Sequence, residues 1–220
     1  MTVHQPYSVV MPNSARRERL LLVDLLESVG PDAPTLCEGW TTRELAAHLV
    51  VRERRPDAAG GILVKPLAAR LAKVQGEYAA KPYEELLELI RTGPPKLSLF
   101  AIPGADAASN VVEYFVHGED VRRAQPDLAP RVLDAEFADE LWSRLGRMAW
   151  LSGRRSPTGL VLRRPDGQTV VARKGSPVVT VTGEPGELLL FVTGRQAKAD
   201  VELAGDKEAV TKVQTAELGT

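Results

Sequence analysis

The sequence predicts a mainly helical protein, with a helical bundle over residues 1–152 and a small α+β domain over residues 153–220. Three observations predict it. Apolar residues recur at helical spacing in one segment after another as far as Leu151. Capping residues and Gly-Pro stops punctuate those segments. Beyond Gly153 the pattern turns to strand alternation around a Pro-Asp-Gly turn.

The elements follow in order. Ser14 can cap a first helix whose Leu21, Leu22, Leu25, Leu26 and Val29 form an apolar stripe, stopped by Gly30-Pro31. After a loop, Thr41 and Glu44 stand at capping-box spacing and start a second helix, with Leu45, His48, Leu49 and Arg52 on one face. Leu67, Leu71 and Val74 suggest a short helix after Pro66. Tyr83 to Arg91 is a clearer one, carrying Leu86, Leu87 and Ile90 and ended by Gly93-Pro94-Pro95. Asp106 to Ala124 forms the next, with Val112, Phe115, Val116 and Val121 as packing residues. Asp134 then caps a long amphipathic helix bearing Phe137, Leu141, Leu145, Met148 and Leu151, with Trp142 and Trp150 read as further packing residues. In the tail, Leu160 to Arg173 reads as a hairpin around Pro165-Asp166-Gly167. Val178 to Val181 and Val201 to Leu203 read as strands, Pro185 opens a short helix, and Asp206 caps the last.

Composition excludes several classes. The chain has 220 residues, 44% apolar and 26% charged, with a net charge of −1, so no broad basic field exists to gather nucleic acid or acidic lipid. The single cysteine, Cys37, excludes an internal disulfide framework and favours a reducing cytoplasm. No apolar run approaches the ~18 residues of a membrane span, and Met1 to Asn13 does not read as a signal peptide. A cytoplasmic protein of open oligomeric state is the expectation.

Chemistry gathers around histidine. Glu113 and His117 are four residues apart on one helix, which stacks their side chains with Cβ atoms about 6 Å apart. Both heads can then converge on one ion at bond lengths of about 2 Å. His48, from a separate helix, can complete the set across a bundle core, where such sites are commonly built. Spacing alone leaves the plainer reading open: a hydrogen-bonded Glu-x3-His pair on a surface, and a core histidine on the apolar face of Leu45 and Leu49. His4 precedes every expected element and is read as part of a disordered terminus.

The stretch Thr35-Leu-Cys-Glu-Gly-Trp-Thr-Thr-Arg-Glu-Leu-Ala-Ala-His48-Leu resembles the signature of the mycothiol-dependent maleylpyruvate isomerase N-terminal family, part of the wider DinB-like group of metal-binding four-helix bundles. Glu113-Tyr-Phe-Val-His117-Gly-Glu-Asp120-Val-Arg122-Arg123 resembles the family's Glu-x3-His motif. The likeness covers roughly residues 10 to 152. It implies a DinB-like four-helix bundle with an additional long helix, and a divalent metal on His48, Glu113 and His117. Zinc suits that ligand set, as do nickel and iron. Mycothiol is the implied thiol cosubstrate, with a small electrophile as the second substrate, in a transferase or isomerase.

Around this triad, Asp120 is a candidate either to orient a ligand histidine or to pair with Arg123 on the surface. Arg122 or Arg123 can meet a substrate carboxylate or stand as solvated helix-end cations. Cys37 reads as a structural loop residue, with nucleophile or fourth ligand as the alternatives, and Trp40 as a hydrophobic plug at the start of the second helix. The rival functions are a metal-stabilised binding module without catalysis and a metal-dependent hydrolase.

Overall fold

The structure, a computed structural model, describes residues 14–62, 64–95 and 105–219. His4 and any cap preceding Ser14 lie outside the described residues, which begin with Ser14 already helical. The helices are α1 (Ser14–Val29), α2 (Thr42–Arg54), α3 (Pro56–Ala59), α4 (Ala68–Ala79), α5 (Tyr83–Thr92), α6 (Ala105–Arg122), α7 (Ala135–Gly153), α8 (Pro185–Val192) and α9 (Lys207–Gln214). The strands are β1 (Gly159–Arg163), β2 (Thr169–Arg173), β3 (Val178–Thr182) and β4 (Glu202–Ala204). The protein is therefore mainly helical with one small sheet.

Two compact units divide the chain: Met1–Ala33 with Thr41–Gly118, and Pro34–Trp40 with Glu119–Thr220. The change of texture at 152/153 falls inside the second of these units, to which α7 belongs. Its buried face, Phe137, Leu141, Leu145 and Ala149, packs on α8 and β2, so the long helix forms the core of the second unit.

In the first unit, α2 is apolar nearly all round. Leu45, Ala46, Ala47, Leu49, Val50 and Val51 are all buried, as befits a helix with neighbours on most sides. It packs on α4 and α5, and α1 packs on α5. The capping box forms as its spacing predicts: the Thr41 side chain accepts from the α2 backbone, and the Glu44 carboxylate accepts from the Thr41 N–H at 2.9 Å. Gly30 ends α1 at φ +81°, the left-handed conformation that only glycine adopts cheaply.

The buried stripe on α1 is turned relative to expectation. Ala15, Leu22, Val23 and Leu26 face inward, while Leu21 is 46% exposed. The turn brings Glu18 and Arg19 inside with them. Arg19 Nε donates to the Tyr114 hydroxyl at 2.9 Å, and that hydroxyl donates to the Glu53 carboxylate. This buried network ties α1, α2 and α6 in register. It does so one residue beyond each position that carries chemistry, Arg52 and Glu113.

In the second unit the sheet order is β2-β1-β3-β4. β1 and β2 form the antiparallel hairpin, β1 and β3 run parallel, and β3 and β4 pair antiparallel. The short link from β2 to β3 passes over the start of β1. A Cβ on Gly159 would come 2.4 Å from the Gly175 carbonyl oxygen, so the crossing requires glycine there. Asp134 caps α7 and Asp206 caps α9, both through side-chain acceptance of backbone N–H groups. Leu151 and Trp150, expected to pack, are instead 49% and 56% exposed, because the inward stripe of α7 runs through Leu145, Ala149 and Ser152.

Candidate metal centre

The first unit brings His48, Glu113 and His117 together. α2 carries His48 and α6 carries the other two one turn apart. Both imidazoles address one atom: His48 Nε2 lies 3.4 Å and His117 Nε2 3.3 Å from Glu113 Oε1. The rings meet edge to face, with centroids 5.5 Å apart and planes at 72°. One ligand atom from each of the three residues lies within 4.8 Å of those of the other two.

These distances test whether the residues fit an ion. Ligands on a tetrahedral zinc at bond lengths of about 2.0–2.1 Å stand about 3.3 Å apart. The two nitrogen–oxygen separations are close to that edge length, so the three side chains form a group that could hold a small divalent cation.

The protonation states of His48 and Glu113 fit as well. Burial holds the His48 imidazole below its ordinary range, outweighing the opposite pull of Glu113, so the ring is neutral at pH 7. Burial alone would raise the Glu113 carboxyl. Hydrogen bonds from His117 and His48, with the charges of His117 and Arg52, hold it well below the usual carboxylate range instead. A neutral imidazole and an ionised carboxylate are the forms that coordinate metal. His48 and His117 are 8% and 9% exposed, whereas the Glu113 side chain keeps 25% of its surface accessible.

Arg52 completes the immediate surroundings and was not singled out by the sequence reading. Its Nε stands 3.3 Å from Glu113 Oε1, and its guanidinium also donates to the side-chain oxygen of the fully buried Asn110. The signal was available. Arg52 lies four residues after His48 and Asn110 three before Glu113, so each shares a helix face with a member of the triad.

The remaining candidates sit in the second unit. Asp120 is fully buried rather than on the surface, and Arg195 holds it through two hydrogen bonds of 2.8 and 2.6 Å. Of the two readings of Asp120, the surface pair with Arg123 gives way to a buried pair with a residue 75 positions away. Arg123 pairs with Glu119 at 2.8 Å and with Glu187 at 2.5 Å. Arg122 stands 3.8 Å from Glu119. Cys37 is half-buried in its loop, and its thiol donates to Asp120 at 3.3 Å. Trp40 is half-buried, its backbone N–H bonded to the Cys37 carbonyl at 3.0 Å.

Fold and site together define a mainly helical protein with a His2Glu cluster that could hold a metal ion. The fold matches that of a mycothiol-dependent maleylpyruvate isomerase, with a TM-score of 0.62 over 87% of this chain and 90% of that one, at 14% identity. A histidine-to-alanine mutant of that enzyme matches with a TM-score of 0.54 over the same shares, at 15% identity. At such identities the likeness is one of fold. The sequence matches no protein-family model and no curated protein.

Proposed function

We propose that this chain is a metal-dependent enzyme that uses a low-molecular-weight thiol such as mycothiol to transfer or isomerise a small electrophile. The observation that carries the proposal is the meeting of two imidazole nitrogens on one carboxylate oxygen at 3.4 and 3.3 Å, the spacing of ligands around a single ion. The shared fold supplies the choice of a thiol as cosubstrate. In this reading the first unit is a DinB-like four-helix bundle, zinc is the ion that best suits His48, Glu113 and His117, and the protein works in the cytoplasm. No helix among the described residues is long and apolar enough to cross a membrane.

Three protein ligands leave a tetrahedral site one position short, which distinguishes catalytic from structural centres. A bound dication supplies thiol ionisation at neutral pH, where a free thiol of pKa about 8.5 is only about 3% thiolate. The chain's own residues prepare for that chemistry. His48 presents a neutral ring, His117 a second imidazole nitrogen and Glu113 an ionised carboxylate, which Arg52 fixes from the side. Burial of both rings limits the access of bulk water.

The test joins elemental analysis of the purified protein to thiol-consumption and isomerase assays. The expected result is close to one equivalent of metal, with turnover that requires both metal and thiol and disappears in His117→Ala. Full turnover by chelator-treated protein would overturn the proposal. Metal without thiol-dependent turnover would select the binding module, and ester or amide cleavage the hydrolase.

A further inference from the structure

Asn110 is fully buried inside α6, next to the equally buried Val111. Asparagine is among the weaker helix formers, and its carboxamide costs free energy in an apolar interior unless it is bonded. An apolar residue would serve packing at this position at lower cost. What the carboxamide supplies is an acceptor: its Oδ1 takes a hydrogen bond from Arg52 Nη1.

Two pairs of residues face each other across α2 and α6. His48 and Arg52 stand one turn apart on α2, and Asn110 and Glu113 one turn apart on α6. His48 Nε2 lies 3.4 Å from Glu113 Oε1. Arg52, whose side chain keeps 13% of its surface accessible, joins the other two: it gives Nη1 to Asn110 and sets Nε 3.3 Å from the same Glu113 oxygen. The guanidinium is planar, with its five N–H groups in a rigid fork, so fixing one arm restricts where Nε can point. Left without such a tether, an arginine beside a carboxylate favours the two-armed pair that engages both carboxylate oxygens.

We infer that Asn110 is a positioning residue: it tethers Arg52 so that Nε meets Glu113 at Oε1, and thereby holds Glu113 in the orientation that presents this single oxygen to both imidazoles. A carboxylate free to rotate can offer an ion both of its oxygens. The second would take the position that the thiol of the proposed reaction needs. The inference deepens the metal-dependent reading and rests on it.

The experiment adds cobalt(II) alone, to saturation, to the metal-free full chain and reads its visible absorption, whose strength reports how many ligands the ion has. The wild-type chain is expected to give the strong bands of a four-coordinate ion. In Asn110→Ala those bands should lose most of their intensity as Glu113 adds its second oxygen, and Arg52→Met should weaken them equally. Because Asn110 acts through Arg52, combining the two substitutions is expected to change nothing beyond Arg52→Met alone. Asn110→Asp keeps an acceptor for Arg52 and should restore the bands. If the alanine variant does not fold, Asn110→Ser gives the same comparison, since its hydroxyl can bond the helix backbone but cannot reach Arg52. Unchanged bands in the alanine or serine variant, no recovery in Asn110→Asp, or a further loss on adding the substitution to Arg52→Met would overturn the inference and leave metal binding standing. A wild-type chain that takes up no cobalt would overturn the metal-dependent reading and this inference together.

Discussion

Arg52 Nε lies 3.3 Å from Glu113 Oε1, the oxygen that both imidazoles also address. A fixed positive charge at that point keeps protons off the cluster twice over. It lowers the Glu113 carboxyl, and it lowers the His48 ring. Replacing it by an uncharged residue of similar length, Arg52→Met, lets protons compete with metal at higher pH from both sides. The pH of half-release of bound metal, followed by dialysis and elemental analysis, is expected to rise by about one unit. A curve that stays in place or moves down would show that Arg52 does not act on these groups.

Ligand loss is the most direct test of the triad. Glu113→Gln keeps the size of the side chain and removes its charge, and His117→Ala removes a donor altogether. Each is expected to weaken zinc binding by more than about 100-fold, exceeding the 10–100-fold typical for a residue that merely supports a ligand. Calorimetric titration of the metal-free protein checks this. Equal affinity in all three proteins would mean that the ion, if any, sits elsewhere.

The metal-free protein should respond to acid in two stages. His48 has a folded pKa below its ordinary 6.5, so the stability tied to its neutral ring is fully present above that value and is lost as pH falls through the lowered one. Glu113, held well below 4.5, contributes stability that is present above pH 4.5 and is lost further down. Thermal melting across pH 7 to 3 in chelator is expected to fall throughout. In His48→Gln the upper stage should flatten and the lower stage persist. An unchanged upper stage would assign it to another group.

Much of this was legible in the sequence because the signals are local. The Thr41 and Glu44 box, the Asp134 and Asp206 caps and the hairpin at Pro165-Asp166-Gly167 each involve residues within a few positions of one another. The i, i+4 step from Glu113 to His117 belongs with them. What stayed hidden depends on partners far apart in the chain. Arg195 reaches Asp120 across 75 positions, and Arg19 reaches Tyr114 across 95. No spacing rule pairs such residues. The partners of α7 stay hidden for a related reason: its helical period says which face is apolar, not that α8 and β2 cover it. Trp150 shows the limit of treating every large apolar residue as core, since it falls just outside the inward stripe.

The capping box separates helix stability from site chemistry. Thr41→Ala removes the acceptor at the start of α2 and should cost about 1 kcal/mol. His48 follows almost two turns later, so zinc affinity is expected to hold within about twofold while the melting temperature drops. A parallel collapse of metal binding would show that the start of α2 is needed to place His48.

The Asp120–Arg195 pair joins a fully buried carboxylate to a partly buried guanidinium in the second unit, and its energetics have a definite sign. Asp120 is fully buried and bonded twice to a guanidinium that keeps about a fifth of its surface accessible. Removing one partner leaves a buried charge facing an apolar side chain. Arg195→Met is therefore expected to cost about 3 kcal/mol in urea unfolding, the low end for a buried pair, because Arg195 is partly solvated and the Cys37 thiol still donates to Asp120. Removing both partners is a different experiment. Apolar residues of similar volume often replace a buried pair without loss, so Asp120→Leu/Arg195→Met should recover most of the stability lost in the single variant. If the double variant is as unstable as the single one, the pair contributes through its hydrogen-bond geometry to the loop at Cys37 rather than through the avoidance of a lone buried charge.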